Sequence, residues 1–227
     1  MTDFVVKRQQ ILAKITAACE KNARKIDKVQ LLAVSKSHSA GVLREMYATG
    51  QRSFGENYLQ EALAKQEELH DLAIEWHFIG HVQRNKTKLL AQHFDWVHGV
   101  DRLMIAERLS SQRDSNLPPL NICIQVNIDA QDSKDGCAPD EVPELVAQIS
   151  QLANICLRGL MVIPKPDNVP AFAAAKTLFD AVKIHHAKPE DWDTLSMGMS
   201  GDLEYAIAAG STMVRVGTAL FGTRDYS

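Results

Sequence analysis

Leu31-Leu32-Ala33-Val34-Ser35-Lys36 is a short apolar run that ends in a lysine. Four successive apolar positions leave a strand no wet face, so the run belongs inside a parallel sheet covered on both sides. Lys36 then leaves the core at a mouth, where strand gives way to loop. A lysine partly desolvated there has a lowered pKa and is a usable amine nucleophile, the condition for forming an imine with an aldehyde. The plainer alternative is a lysine that flanks a strand and stays in water. The choice depends on whether the rest of the chain supplies a place for an aldehyde-bearing ligand.

Outward from this run the chain alternates. An amphipathic helix spans about Asp3 to Ile26, and helical spacing after Lys36 (Val42, Leu43, Met46, Tyr47) is stopped by Gly50. Strands are expected near Arg52–Phe54, Glu75–Ile79, Asp95–His98, Leu120–Ile128, Ile155–Ile163, Thr194–Met197 and Thr212–Val216, each followed by a helix or a helical turn. Pro164 and Pro166 end one of them, because their rings exclude further pairing. About eight such units predict a single (β/α)8 TIM barrel with an extra N-terminal helix, one domain over residues 1–227. A doubly wound open sheet alternates in the same way, but no G-x-G-x-x-G follows the first strand and no G-x-x-x-x-G-K-[ST] occurs.

Composition narrows the function. With 227 residues, 45% hydrophobic and 23% charged, the chain can bury a full core. A formal net charge of -3 gives no field for drawing in nucleic acid or an anionic membrane. No apolar stretch approaches the roughly 20 residues of a membrane span, and the N-terminus lacks a signal-peptide apolar region, so a cytoplasmic protein is expected. Cys19, Cys123, Cys137 and Cys156 are scattered and read as reduced thiols.

In a barrel the working face lies at the C-terminal ends of the strands. Those ends carry Lys36, Glu56-Asn57, His77 with Gly80, Asn127, Met161 and two informative late turns. The first turn is Ser196-Met197-Gly198-Met199-Ser200-Gly201-Asp202. Ser200 stands where a helix N-cap belongs, and free amides with a hydroxyl and small glycines suit a phosphate. Ser200 could equally do no more than cap its own helix, and Asp202 and Glu204 would repel a phosphate unless they point outward. The second turn is Arg215-Val216-Gly217-Thr218, where loops after the seventh and eighth strands form the usual barrel phosphate cradle. An arginine inside a strand needs a partner, either a carboxylate or a ligand acceptor such as a ring nitrogen.

A lysine amine, a phosphate cradle and an arginine on one face suggest a phosphorylated aromatic aldehyde. The stretches Leu32–Lys36, Phe54-Gly55-Glu56-Asn57-Tyr58, Trp76–Gly80, Gly198-Met199-Ser200-x-Asp202 and Val214-Arg215-Val216-Gly217-Thr218-x-x-Phe221-Gly222 closely resemble the pyridoxal phosphate homeostasis family, over nearly the whole chain in order. The resemblance implies a barrel similar to the N-terminal domain of alanine racemase that holds pyridoxal 5'-phosphate. It makes Lys36 the imine lysine and brings Ser200, Gly217 and Thr218 to the phosphate. It sets Arg215 near the pyridine nitrogen and has Asn57 and Met197 line the ring. His81 departs from the proline expected there in some close relatives. The family is regarded as a regulator of vitamin B6 and amino-acid pools without an established reaction, with PLP-dependent apo-enzymes as candidate recipients.

Catalysis is weighed separately. Racemisation needs a base on each face of the planar intermediate, and Lys36 serves one face. Racemases of similar fold take the second base from an extra domain across a dimer; the chain ends at Ser227 just after the last strand, so no such domain and a monomer are expected. A racemase-like PLP enzyme remains the alternative to a carrier. His77 and His81 are four apart, but Gly80 and the strand-to-loop register deny them a shared helix face, so no metal site is expected. The remaining histidines read as surface or boundary residues, and Arg84, Lys86 and Lys88 as a solvated helix start. Gly198-x-x-Gly201 matches an RNA-binding KH loop without the basic flanks. Lys134, in the loop Asp132–Gly136, is the rival amine.

Overall fold

The sheet closes on itself, which removes the open-sheet alternative. The computed structural model describes residues 3–131 and 134–222. Its strands are β1 (Gln30–Val34), β2 (Ser53–Glu56), β3 (Glu75–Phe78), β4 (Trp96–Val100), β5 (Leu120–Val126), β6 (Ile155–Val162), β7 (Thr194–Ser196) and β8 (Met213–Val216). They run parallel in chain order, and β8 returns to pair with β1 with Leu32 opposite Arg215. The helices are α1 (Asp3–Lys21), α2 (Ala40–Ala48), α3 (Leu59–Glu68), α4 (Thr87–His93), α5 (Leu103–Gln112), α6 (Val142–Ile149), α7 (Pro170–Val182), α8 (Leu203–Ala208) and α9 (Thr218–Phe221). This is the (β/α)8 barrel with an added N-terminal helix; Asp132, Ser133 and Ser227 lie outside the described residues.

Local chemistry starts and stops these elements as the residue types require. The Ser39 side chain accepts a hydrogen bond from the Val42 amide at the start of α2, and Pro170 opens α7, where the missing N–H costs nothing. α1 buries Ile11, Ile15, Ala18 and Cys19. Just beyond it, Arg24 donates to the carbonyls of Ile207 and Ser211, both at 2.7 Å.

Strand residues alternate between the helices and the barrel axis. The outward set forms the main apolar core with the helices, while Trp96, Cys123 and Met161 make a separate cluster. The floor of the barrel is polar and connected. Gln30 Nε2 and Ser53 Oγ donate to Glu75 Oε2 (3.2 and 2.8 Å), Trp96 Nε1 donates to Glu75 Oε1 (2.6 Å), and His77 stands between Glu75 (3.4 Å) and His98 (3.0 Å). Two histidines are therefore not where the sequence sets them: His98 is fully buried, and His186 is buried against the Leu157 carbonyl. His77 is also fully enclosed and belongs to this floor rather than to the working face. Burial, with His77 and Arg215 adding to it, holds His98 well below its usual pKa, so it is neutral.

Candidate cofactor site

A cavity of about 320 Å3 opens at the C-terminal ends of β1, β2, β3, β6, β7 and β8. That is room for one small aromatic ligand with its phosphate. Lys36, Asn57, Arg215, Ser200, Gly217 and Thr218 all line it, so six of the seven residues singled out in the sequence meet in one place. Val34, Ile79, Ile163 and Met199 complete its apolar walls, with Gly201 beside Ser200.

Met197 is the exception. It is fully buried in the main core, and Met199, two residues on and exposed, takes the wall position instead. The cause lies at Gly198, whose φ of +94° turns the chain in the left-handed region and brings it against α8; a Cβ there would sit 2.5 Å from Ala206 Cβ. Met197 thus still belongs to the sheet, its amide bonded to the Met213 carbonyl at 3.1 Å.

Ser200 is not the N-cap of the following helix. α8 begins at Leu203 with Asp202 in the cap position, and Asp202 Oδ1 instead accepts from the Met199 amide at 2.5 Å. The Ser200 hydroxyl is therefore not used as a cap and stands at the cavity wall. Asp202 is engaged in its own turn, and Glu204 lines a different groove, so the repulsion feared for a phosphate is lessened. That groove, of about 710 Å3 between α1 and α8, shares only Ser200 and Gly201 with the cavity and is flanked by Lys14 and Lys21.

Arg215 has no carboxylate partner among the described residues. Its Nη1 donates to Ser196 O and Ser196 Oγ (2.7 and 2.9 Å) and its Nη2 to Val162 O (2.9 Å). Burial pushes the guanidinium down to about 10, partly offset by Asp202, so at neutral pH it is still a charged donor. At the β2 end, Asn57 Oδ1 is buried without a hydrogen-bond partner. An orphaned acceptor of this kind at a cavity wall fits a ligand that donates to it. Gly80 is what allows Asn57 to sit there, since a Cβ on it would lie 2.4 Å from the Asn57 carbonyl oxygen.

At the rim, His81 Nδ1 lies 3.0 Å from Asp135 Oδ1, tying the β3 turn to the loop that carries Lys134. Lys134 itself is exposed and is absent from the cavity lining. Asn127 spends its side chain within the same loop, on Gln131, and Met161 is fully buried. No helix of the described residues is long and apolar enough to cross a membrane.

The barrel and its strand-end cavity define a class: residues 11–225 match the family model of the alanine racemase N-terminal domain. The chain is 53% identical over 222 residues to the pyridoxal phosphate homeostasis protein of Pseudomonas aeruginosa, covering 96% of this chain and 94% of that one. It is 47% identical over 232 residues to the protein of the same name from Escherichia coli K12, covering 100% and 99%. Among solved structures it resembles PipY of Synechococcus elongatus PCC7942 with PLP bound, at 40% identity and TM-score 0.79 over 93% of this chain and all of that one. The alanine racemase of Corynebacterium glutamicum, at 15% identity and TM-score 0.66, shares the fold over 62% of its length. The chain belongs to the pyridoxal phosphate homeostasis protein family.

Proposed function

We propose that the protein binds pyridoxal phosphate through Lys36 and serves vitamin B6 homeostasis by holding, buffering and handing over the cofactor rather than by turning over a substrate. The observation that carries this reading is one cavity lined both by Lys36, just past the end of β1, and by the small-residue turns after β7 and β8. When bound, the cofactor supplies an aldehyde that a lysine amine captures reversibly. Every other role falls to the chain. Ser200, Gly217 and Thr218 cradle the phosphate with hydroxyls and close backbone. Val34, Ile79, Ile163 and Met199 would supply the apolar walls for its ring, and Asn57 would accept a hydrogen bond from it.

The lining also argues against robust catalysis. Apart from Lys36 and Arg215 it contains no titratable side chain among the described residues. The lining therefore offers Lys36 no second proton acceptor among the described residues. Arg215 donates and does not give up its proton at neutral pH, so it would hold a pyridine nitrogen as an acceptor and leave the ring less electron-withdrawing. A single-domain monomer is the assembly this reading proposes. Free thiols at Cys19, Cys123, Cys137 and Cys156 suit the cytoplasm. PLP-dependent apo-enzymes are the recipients we propose, since sequestering a reactive aldehyde is useful only if it can be passed on.

The test is the visible absorption of purified protein mixed with pyridoxal phosphate, followed by borohydride reduction and peptide mapping. The expected label is on Lys36 and is lost in Lys36→Ala, with Lys134 labelled in neither or only transiently. A predominant label on Lys134, or an unchanged spectrum in Lys36→Ala, overturns the assignment. Racemisation or transamination of an amino acid at about 1 s⁻¹ or faster overturns the carrier reading.

A further inference from the structure

Lys65 is a lysine buried where helices keep apolar residues. It lies on the inward face of α3 with Leu59 and Ala62 and is 4% exposed. Such a charge is tolerated only when fully paired. Its Nζ contacts three acceptors: Ser35 O at 2.9 Å, Glu56 Oε1 at 2.8 Å and Glu61 Oε1 at 2.5 Å. Glu56 is fully buried, also accepts from Ser35 Oγ at 2.6 Å, and leaves Oε2 without a partner. Burial raises the Glu56 carboxyl above its usual pKa, against the pull of Lys65 and Ser35.

The targets of this network frame the cofactor lysine. Ser35 O belongs to the peptide bond before Lys36. The amide of Ser37, in the peptide bond after Lys36, donates to Glu61 Oε1 at 2.6 Å. One ion pair on α3 therefore grips both peptide bonds that flank Lys36. Ser37 is held at φ +64°, in the left-handed region that a non-glycine residue does not choose unaided. The same Lys65 also reaches Glu56, the residue before Asn57, so the β1 and β2 ends at the cavity both hang from one ammonium.

We infer that Lys65 and Glu61 are positioning residues: their ion pair fixes the Lys36 backbone so that its amine meets the aldehyde in the cavity. This rests on the reading of Lys36 as the cofactor lysine. A preset backbone speeds covalent capture, because the amine does not have to be ordered at the moment of reaction. It does not change how the phosphate and ring are held, since neither Lys65 nor Glu61 touches the cavity.

Glu61 is the safer handle, because its side chain is 31% exposed whereas that of Lys65 is 5% exposed. Glu61→Ala removes the acceptor for the Ser37 amide. Glu61→Gln keeps an oxygen there and removes only the charge. The rate of covalent capture is read by borohydride trapping after rapid mixing with pyridoxal phosphate. Non-covalent affinity is read in parallel with pyridoxine 5'-phosphate, which has no aldehyde. The expectation is capture slowed about tenfold in Glu61→Ala, in line with the loss of one charge-assisted hydrogen bond. Pyridoxine 5'-phosphate affinity should stay within about twofold, and Glu61→Gln should recover most of the rate. Lys65→Met, if it folds, should slow capture further. Wild-type capture rates in Glu61→Ala, or equal losses in capture and in pyridoxine 5'-phosphate affinity, overturn the positioning role. A wild-type protein whose label is not on Lys36 overturns the underlying assignment instead.

Discussion

Arg215→Met separates what the buried guanidinium does for the fold from what it does for the ligand. Its fall from the ordinary 12.5 to about 10 means that burial disfavours the charge by about 3 kcal/mol, at about 1.4 kcal/mol per tenfold change in proton affinity. Methionine fills similar space and removes that cost. Against this, Ser196 O, Ser196 Oγ and Val162 O lose their donors, at roughly 1 kcal/mol each. The two effects nearly cancel. Urea unfolding of the cofactor-free protein at neutral pH should therefore place the variant within about 2 kcal/mol of wild type. Pyridoxal phosphate binding should weaken at least about tenfold, because a preset donor at the cavity wall is gone. Wild type should gain about 2.7 kcal/mol of stability at a hundredfold excess of cofactor over Kd, and the variant much less at the same concentration. A variant that loses more than about 4 kcal/mol without cofactor would show the residue to be structural. One that binds cofactor as wild type does would remove Arg215 from the site.

Other perturbations probe the frame around the cavity. Gly80→Ala drives a methyl into the Asn57 carbonyl and should cost about 1–3 kcal/mol in urea unfolding while lowering cofactor affinity; unchanged affinity would detach the β2 end from the site. Glu75 is raised by burial but held down to about 2, against an ordinary 4.5, by His77, Ser53 and Trp96. A carboxyl with a depressed folded pKa contributes stability above its unfolded pKa and loses it as pH falls through the folded one. Wild type should accordingly lose stability between pH 4.5 and about 2, and Glu75→Gln should be less stable at neutral pH and flatter across that window; parallel acid profiles would refute this.

The strand ends were legible because an apolar run beside a polar turn carries its own period, and a closed barrel forces the ends of such runs onto one rim. Lys36, Asn57 and Arg215 could thus be placed from sequence alone. Met197 and Met199 could not be told apart, because the left-handed Gly198 breaks the alternation between them. The cap was misplaced by two residues: capping statistics favour serine, but Asp202 holds the cap position and takes the local amide. The buried network at Lys65 was hidden for a different reason. Helical spacing along α3 picks out Leu59, Leu63, Ala64 and Leu69 as the apolar set, whereas the buried face is Leu59, Ala62, Lys65 and Leu69. A lysine at helical spacing among apolar neighbours was a signal, but charge alone argues for solvent. Closure of the sheet, finally, depends on β8 meeting β1, a pairing no local stretch encodes.

That last pairing sets when the site can exist. Leu32 and Arg215 are neighbours across the β1–β8 seam, yet they stand at opposite ends of the chain, so the amine and the phosphate turns are strangers until the ring is sealed. A chain still growing from the ribosome, or one frayed at that seam, carries the lysine without the cradle. On the binding mode proposed above, retained cofactor would thus be a mark of a finished hoop, and each bound molecule would act as a clasp across its seam.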